Sequence, residues 1–194
     1  LVSSGGAAAM NVDVREYGAT PNDGMDDAPA FRAALQDVLD AGGGAVRIGP
    51  GRYDLFSRVN MQTDSANIAI RGTGHGVTGL YSHNPRGVFR LAFTERTSQL
   101  TFTDLSFFAD RREAGRGIEI YSPPGGNKQR HTLIVRNVEF RAVDFHHDYF
   151  NAGIKATGLW RPVFHNVIFG ASFGPTQEKP YAGTCGIELI DCPG

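Results

Sequence analysis

Four short segments open on a glycine and an apolar residue and then set a different kind of side chain at the same offset: GVFRL (87–91), GIEI (117–120), GIKA (153–156) and GIELI (186–190). Alternation along a strand sends Ile118, Ile154 and Ile187 to one face and Glu119, Lys155 and Glu188 to the other, with Phe89 or Arg90 in the matching place of the first segment. Stacked strands hold equivalent residues about 4.8 Å apart, so Glu119 and Glu188 fall two rungs apart with Lys155 between them. Glycoside hydrolysis uses two carboxylates roughly 5 to 9.5 Å apart, one as acid and one as base or nucleophile. A lyase instead needs a base beside a uronate whose carboxylate is neutralised. Glu119 and Glu188 are therefore candidate catalytic groups and Lys155 a candidate substrate contact. The competing reading is a solvated Glu-Lys-Glu ladder that supports its sheet modestly.

A second cluster lies in VDFHHDYFNAG (143–153), where Asp144, His146, His147 and Asp148 bunch with Phe145, Tyr149 and Phe150. Rings pack on the CH-rich faces of sugars while polar groups bind hydroxyls, so Asp144 and Asp148 join the candidate catalytic residues and His146, His147, Tyr149 and Trp160 the candidate substrate contacts. His165 can join the same surface. The bland alternative is a loop folding its aromatics over the core. The two adjacent histidines lack a partner at ligand spacing, so no metal and no cofactor are expected. In ADRREAGRG (109–117), Asp110 and Glu113 sit among Arg111, Arg112 and Arg116. Arg112 could hold an anionic saccharide, against the plainer reading of a solvated charge cluster. RGTGHG (71–76) is followed by no helix and is not a phosphate loop.

The scaffold for these residues is legible as a repeat. NIAIRGTG (67–74), LTFTDLSF (100–107), LIVRNVEF (133–140) and VFHNVIF (163–169) place a turn residue at Gly72, Asp104, Asn137 and Asn166, at steps of 32, 33 and 29 residues. The glycine-led series interleaves at steps of 30, 36 and 33. Two strand series recurring together near 30 residues mark a solenoid with about three short strands per turn. Nothing after residue 40 has a helical period, and hairpin signals are too sparse for a β-propeller. The fold expected is all-β: a right-handed, single-stranded parallel β-helix of about four coils over 65–194. Residues 1–10 read as a lead-in and 11–64 as an N-terminal cap. Within the cap, NVDVREYGA (11–19) reads as a short edge strand. One amphipathic helix is predicted over 27–40, capped by Asp26 or Asp27, with Pro29 in its first turn. Phe31, Ala34, Leu35, Val38 and Leu39 share one face, and Gly42 to Gly44 end the helix. It is placed to cover the open end of the first coil. The last strand breaks off at the start of a new repeat, as in a truncated view of a longer protein.

Composition agrees. Glycine supplies 25 of 194 residues, nearly twice the ordinary ~7%, as many tight turns require. The formal charge is −1 with acids and bases interspersed, which argues against nucleic-acid partners. Apolar runs are too short for membrane insertion. Leu1 to Met10 is too short and uncharged to be a secretory signal, so an upstream segment is expected. Cys185 and Cys192 read as two buried thiols, with a disulfide open only where a turn brings them together.

The stretch NVDVREYGATPNDGMDDAPAFRAALQDVLDAGGGAVRIGPGRYDL (11–55) resembles the opening segment of the pectate-lyase-like β-helix superfamily. Val14, Tyr17, Gly18, Ala19, Asp23, Gly24, Asp26, Asp27, Ala33, Gly43, Gly44, Val46, Pro50, Gly51, Tyr53 and Leu55 carry the match, and Ala28-Pro29 departs from it. The resemblance covers about a quarter of the chain. It is specific for fold and silent on activity, because lyases, glycosidases, epimerases and phage tailspikes share the segment. The lead-in SSGGAAAMNVDVREYGA resembles the link between the particle-binding head and the β-helix of tailspikes. That implies a homotrimeric, receptor-binding spike on the virion surface of a phage or phage-like particle, with other tail or head proteins as partners, that binds bacterial surface polysaccharide, with or without cleaving it. The alternatives are a secreted, extracellular lyase or glycoside hydrolase, and a structural β-helix module without activity.

Overall fold

The computed structural model describes residues 9–63, 67–93, 98–122, 131–145, 147–170 and 185–192. In chain order these form β1 (Met10–Asp13), a 3-10 turn (Val14–Tyr17), α1 (Ala28–Asp40), β2 (Gly43–Arg47), β3 (Gly51–Leu55), β4 (Val59–Thr63), β5 (Asn67–Arg71), β6 (Thr78–Ser82), β7 (Gly87–Phe93), β8 (Gln99–Ala109), β9 (Arg116–Tyr121), β10 (Thr132–Ala142), β11 (Ala152–Thr157), β12 (Val163–Phe169) and β13 (Cys185–Ile190). The strands wind as a parallel β-helix. One sheet stacks β1-β2-β5-β8-β10-β12, with β3 and β6 stacked beside them onto β8, and a second stacks β4-β7-β9-β11-β13. The second sheet has five rungs, one more than the glycine-led repeats, because β4 makes a rung without that signature. Strands β1 to β4 thus belong to the same sheets as the coils after residue 65.

The bend within the first sheet is built by the predicted turn residues. Asp104, Asn137 and Asn166 take left-handed backbone, with φ of 59°, 52° and 50°, which short polar side chains tolerate best. Their side chains form a ladder: the Asn166 amide donates to Asn137 Oδ1 at 3.0 Å, and the Asn137 amide donates to Asp104 Oδ1 at 3.0 Å. At the equivalent place in the coil below, Gly72 leaves room for the Asp104 carbonyl, which any Cβ would strike.

Inward residues form one column. Ile118 and Ile154 are fully buried in register, and Ile187 continues the line at the last rung, partly buried against the same core. Phe107, Phe140 and Phe169 stack with centroids 4.9 and 5.2 Å apart and rings tilted 9°. The glycines of GIEI and GIKA exist for this stack, since a Cβ at Gly117 would run into the Phe140 ring and sit 2.8 Å from the Gly153 carbonyl oxygen. Gly117→Ala is expected to destabilise the protein by about 1–3 kcal/mol through overpacking, read as a lower midpoint in urea.

Helix α1 lies across the first coil and buries Phe31, Ala34, Leu35 and Val38 completely. Asp27 is the N-cap residue, yet its carboxylate accepts from the backbone N–H groups of Thr20 (2.9 Å) and Asp54 (3.1 Å). Asp26 instead accepts from Ala28 N–H at 3.1 Å and bonds the helix start. The predicted edge strand ends at Asp13 because that side chain accepts from the Arg15 N–H at 3.0 Å and turns the chain into the 3-10 segment. Cys192 is a half-buried free thiol that donates to the carbonyls of Ile190 and Ala156.

Just before β10, His131 is fully buried, its ring stacked 4.7 Å from that of Phe93, and neither ring nitrogen has a partner among the described residues. Burial therefore pushes its pKa below the ordinary 6.5. The unfolded chain then binds a proton that the native state refuses as pH drops below 6.5, so stability is full above that value and falls towards the native pKa. His131→Leu is expected to flatten the dependence of urea stability on pH between 5 and 7, removing a slope of up to about 1.4 kcal/mol per pH unit.

Candidate functional site

The outer face of the second sheet carries the predicted ladder in register. Asn60, Arg90, Glu119, Lys155 and Glu188 stand on successive rungs of β4, β7, β9, β11 and β13. Lys155 Nζ pairs with Glu188 at 3.1 Å. Glu119 turns the other way: Arg58 Nη1 donates to it at 3.0 Å, with Arg116 at 3.8 Å and Arg90 at 3.9 Å. Arg58, immediately before β4, also donates to the Arg86 carbonyl at 3.3 Å. Burial is the main force lowering the Arg58 pKa, Arg90, Arg86 and Arg116 add repulsion, and Glu119 opposes them. Five cations (Arg58, Arg86, Arg90, Arg116 and Lys155) thus face two carboxylates (Glu119 and Glu188), a local surplus of three positive charges. Such a strip can take up an anionic chain lying along the stack of coils, with guanidinium forks matched to carboxylates. Glu119 and Glu188 stand two rungs apart, roughly 9.6 Å along the stack, at the wide limit of the spacing used in inverting hydrolysis.

The other two sequence clusters meet at one corner, after the first sheet. Tyr149 donates its N–H to the Arg111 carbonyl at 3.2 Å and its hydroxyl to Glu113 at 3.2 Å, while Ala114 N–H donates to the Tyr149 carbonyl at 2.8 Å. Asp144 and His147 form an exposed pair at 3.0 Å. Asp148 accepts from the Asp144 N–H, and burial first, then the charges of Asp110 and Asp144, raise its carboxyl above the ordinary value. Arg112 sits exposed in the turn beside them. His146 lies outside the described residues. Trp160 stands at the opposite corner, between β11 and β12, where its backbone N–H donates to the His131 carbonyl at 2.9 Å and Arg161 lies over its ring. His165 lies exposed on β12, on the first sheet. Neither is brought to the 143–150 loop.

Sequence reasoning missed four residues that join these surfaces. Arg58 and Arg86 precede their strands and carry no motif. Asp54 and His83, with Asp110, form a tight cluster on successive coils below the 143–150 loop. A signal for that cluster existed only in the register: Leu55, Ser82 and Ala109 are equivalent residues, and these three groups flank them.

Stacked parallel coils, a ladder at the bend and a helix over the first turn define the class: the chain has the pectate-lyase-like parallel β-helix fold. The solved catalytic domain of Agl-KA superposes over 94% of this chain and 34% of its own length, with a TM-score of 0.52 and 15% identity, a likeness of fold. No family model matches the chain. Among curated proteins it is similar to mannuronan C5-epimerase AlgE3 of Azotobacter vinelandii, 26% identical in an alignment 144 positions long that covers 68% of this chain and 8% of the epimerase. Alginate lyase 7 of the same organism is 27% identical in an alignment 147 positions long that covers 69% of this chain and 17% of the lyase. The chain therefore spans under a fifth of the length of these two relatives.

Proposed function

We propose that this chain binds an anionic polysaccharide along the outer strip of its second sheet. The observation that carries the proposal is the gathering of Arg58, Arg90 and Arg116 around the single carboxylate of Glu119, with Arg86 adding its charge beside Arg58 and Lys155 extending the line. The relatives support it, since the polymers in their names, mannuronan and alginate, carry a carboxylate on every sugar. Regular carboxylates along an extended chain suit a row of cations set at the spacing of the rungs.

In its finer form the proposal has two versions. The spike version places a homotrimer on a phage or phage-like particle, recognising bacterial surface glycan, and rests on the tailspike-like lead-in. The secreted version is an extracellular polysaccharide lyase, glycoside hydrolase or epimerase, and the epimerase and lyase names of the Azotobacter relatives favour its enzymatic part. Incubating the full-length protein with alginate and with host capsule tests both. The expected result is binding that weakens steeply as salt rises; release of reducing ends or unsaturated uronate marks a hydrolase or lyase, and exchange of the uronate C5 proton with solvent marks an epimerase. A monomer by sedimentation removes the spike version. Absence of binding to any anionic glycan leaves only a structural module.

A further inference from the structure

Three consecutive coils bring Asp54 of β3, His83 after β6 and Asp110 after β8 to one point. One imidazole nitrogen and one oxygen from each carboxylate all lie within 4.8 Å of one another. The His83 ring meets Asp54 Oδ1 through Nε2 at 2.6 Å and faces Asp110 Oδ2 through Nδ1 at 3.4 Å. Phe56 stacks on that ring with centroids 4.4 Å apart and fixes its orientation. Asp54 is only 2% exposed. Burial pushes its carboxyl up, but hydrogen bonds from Arg52 and His83 outweigh this and hold it below the ordinary carboxylate range.

Two carboxylates this close need a cation between them, and Arg52 supplies one, reaching Asp54 at 2.7 Å and Asp110 at 2.9 Å. That guanidinium is held by both ion pairs and by the Tyr81 ring, 4.1 Å from its centroid, but the side chain is 39% exposed, so an ion that outcompetes these contacts can displace it towards solvent. The mouth of the cluster opens onto a cavity lined by Asn22, Asp23 and Gly24, which leaves a coordination position for water or a further oxygen.

We infer that Asp54, His83 and Asp110 form a divalent transition-metal site of the zinc or cobalt type, in which the ion takes the place of Arg52. Calcium and magnesium take six or more oxygens, whereas one imidazole and two carboxylates with an open position suit a tetrahedral ion. Ligands of such an ion stand about 3.4 Å apart at bond lengths near 2.1 Å. Small side-chain movements therefore close the site, and the bound ion clips three coils together. This site is separate from the cationic strip and does not depend on the polysaccharide reading.

Titration of the full protein with cobalt chloride, followed by visible absorption and by melting with and without zinc chloride, tests the inference. Expected are one cobalt per chain with ligand-field bands, a higher melting temperature in zinc, and loss of both in Asp110→Asn and His83→Gln. Arg52→Gln removes the competing cation and is expected to bind cobalt about tenfold tighter or more, a gain that misfolding cannot produce. The inference is overturned if neither the wild type nor Arg52→Gln binds cobalt at one per chain. It is equally overturned if His83→Gln, folded by circular dichroism, keeps the bands.

Discussion

Phe140→Ala is expected to cost about 3–5 kcal/mol of stability. The ring sits between Phe107 and Phe169 at 4.9 and 5.2 Å, meets Phe150 edge-on at 6.3 Å, and is only 3% exposed. Its removal opens a cavity inside a stack whose neighbours are fixed by parallel pairing on both sides, Phe107 below and Phe169 above. Those strands cannot close in without breaking register, so little of the void is recovered. Urea unfolding checks this. A loss below 1 kcal/mol would mean that the aromatic column does not hold the coils together.

Arg58→Gln is expected to weaken binding of an anionic glycan by about tenfold or more, the loss of a charge-assisted contact of roughly 1.5–3 kcal/mol. Arg58 is the cation nearest Glu119, so its removal also leaves that carboxylate less neutralised and repelling the ligand. The companion variant separates two roles for Glu119. As a counter-ion to Arg58, Arg90 and Arg116, its replacement in Glu119→Gln raises the surplus of positive charge and tightens binding. As a catalytic group, its replacement abolishes turnover on any polymer the full-length protein cleaves. Calorimetry at two salt concentrations reads the first effect, and release of reducing ends reads the second.

The ladder on the second sheet was legible because its rungs share a local signature. Gly117 and Gly153 are small to admit the phenyl stack, the isoleucines point in, and alternation then fixes where Glu119, Lys155 and Glu188 point. The helix was legible for the same kind of reason, its buried face recurring at helical spacing before a run of glycines. Arg58 and Arg86 were not, since each lies just outside a strand, where no periodicity constrains it, and β4 carries none of the glycine-led pattern that reveals its register. Asp54, His83 and Asp110 were invisible for a further reason. They come together only when three coils of unequal length are stacked, and a pairing as specific as Ser82 with Ala109 cannot be read from spacing when the loops between strands vary. Asp27 shows the limit from the other side: the residue type marks a helix start, but tertiary contacts with Thr20 and Asp54 take its carboxylate away from the cap.

Whether the cationic strip is the polysaccharide surface is decided most directly by chemical modification of arginine with phenylglyoxal, read residue by residue by mass spectrometry. A saturating oligouronate is predicted to protect Arg58, Arg86, Arg90 and Arg116 while leaving Arg136 and Arg141, on the first sheet, as reactive as before. Protection confined to Arg111 and Arg112 at the corner loop, with the strip arginines unchanged, would contradict it.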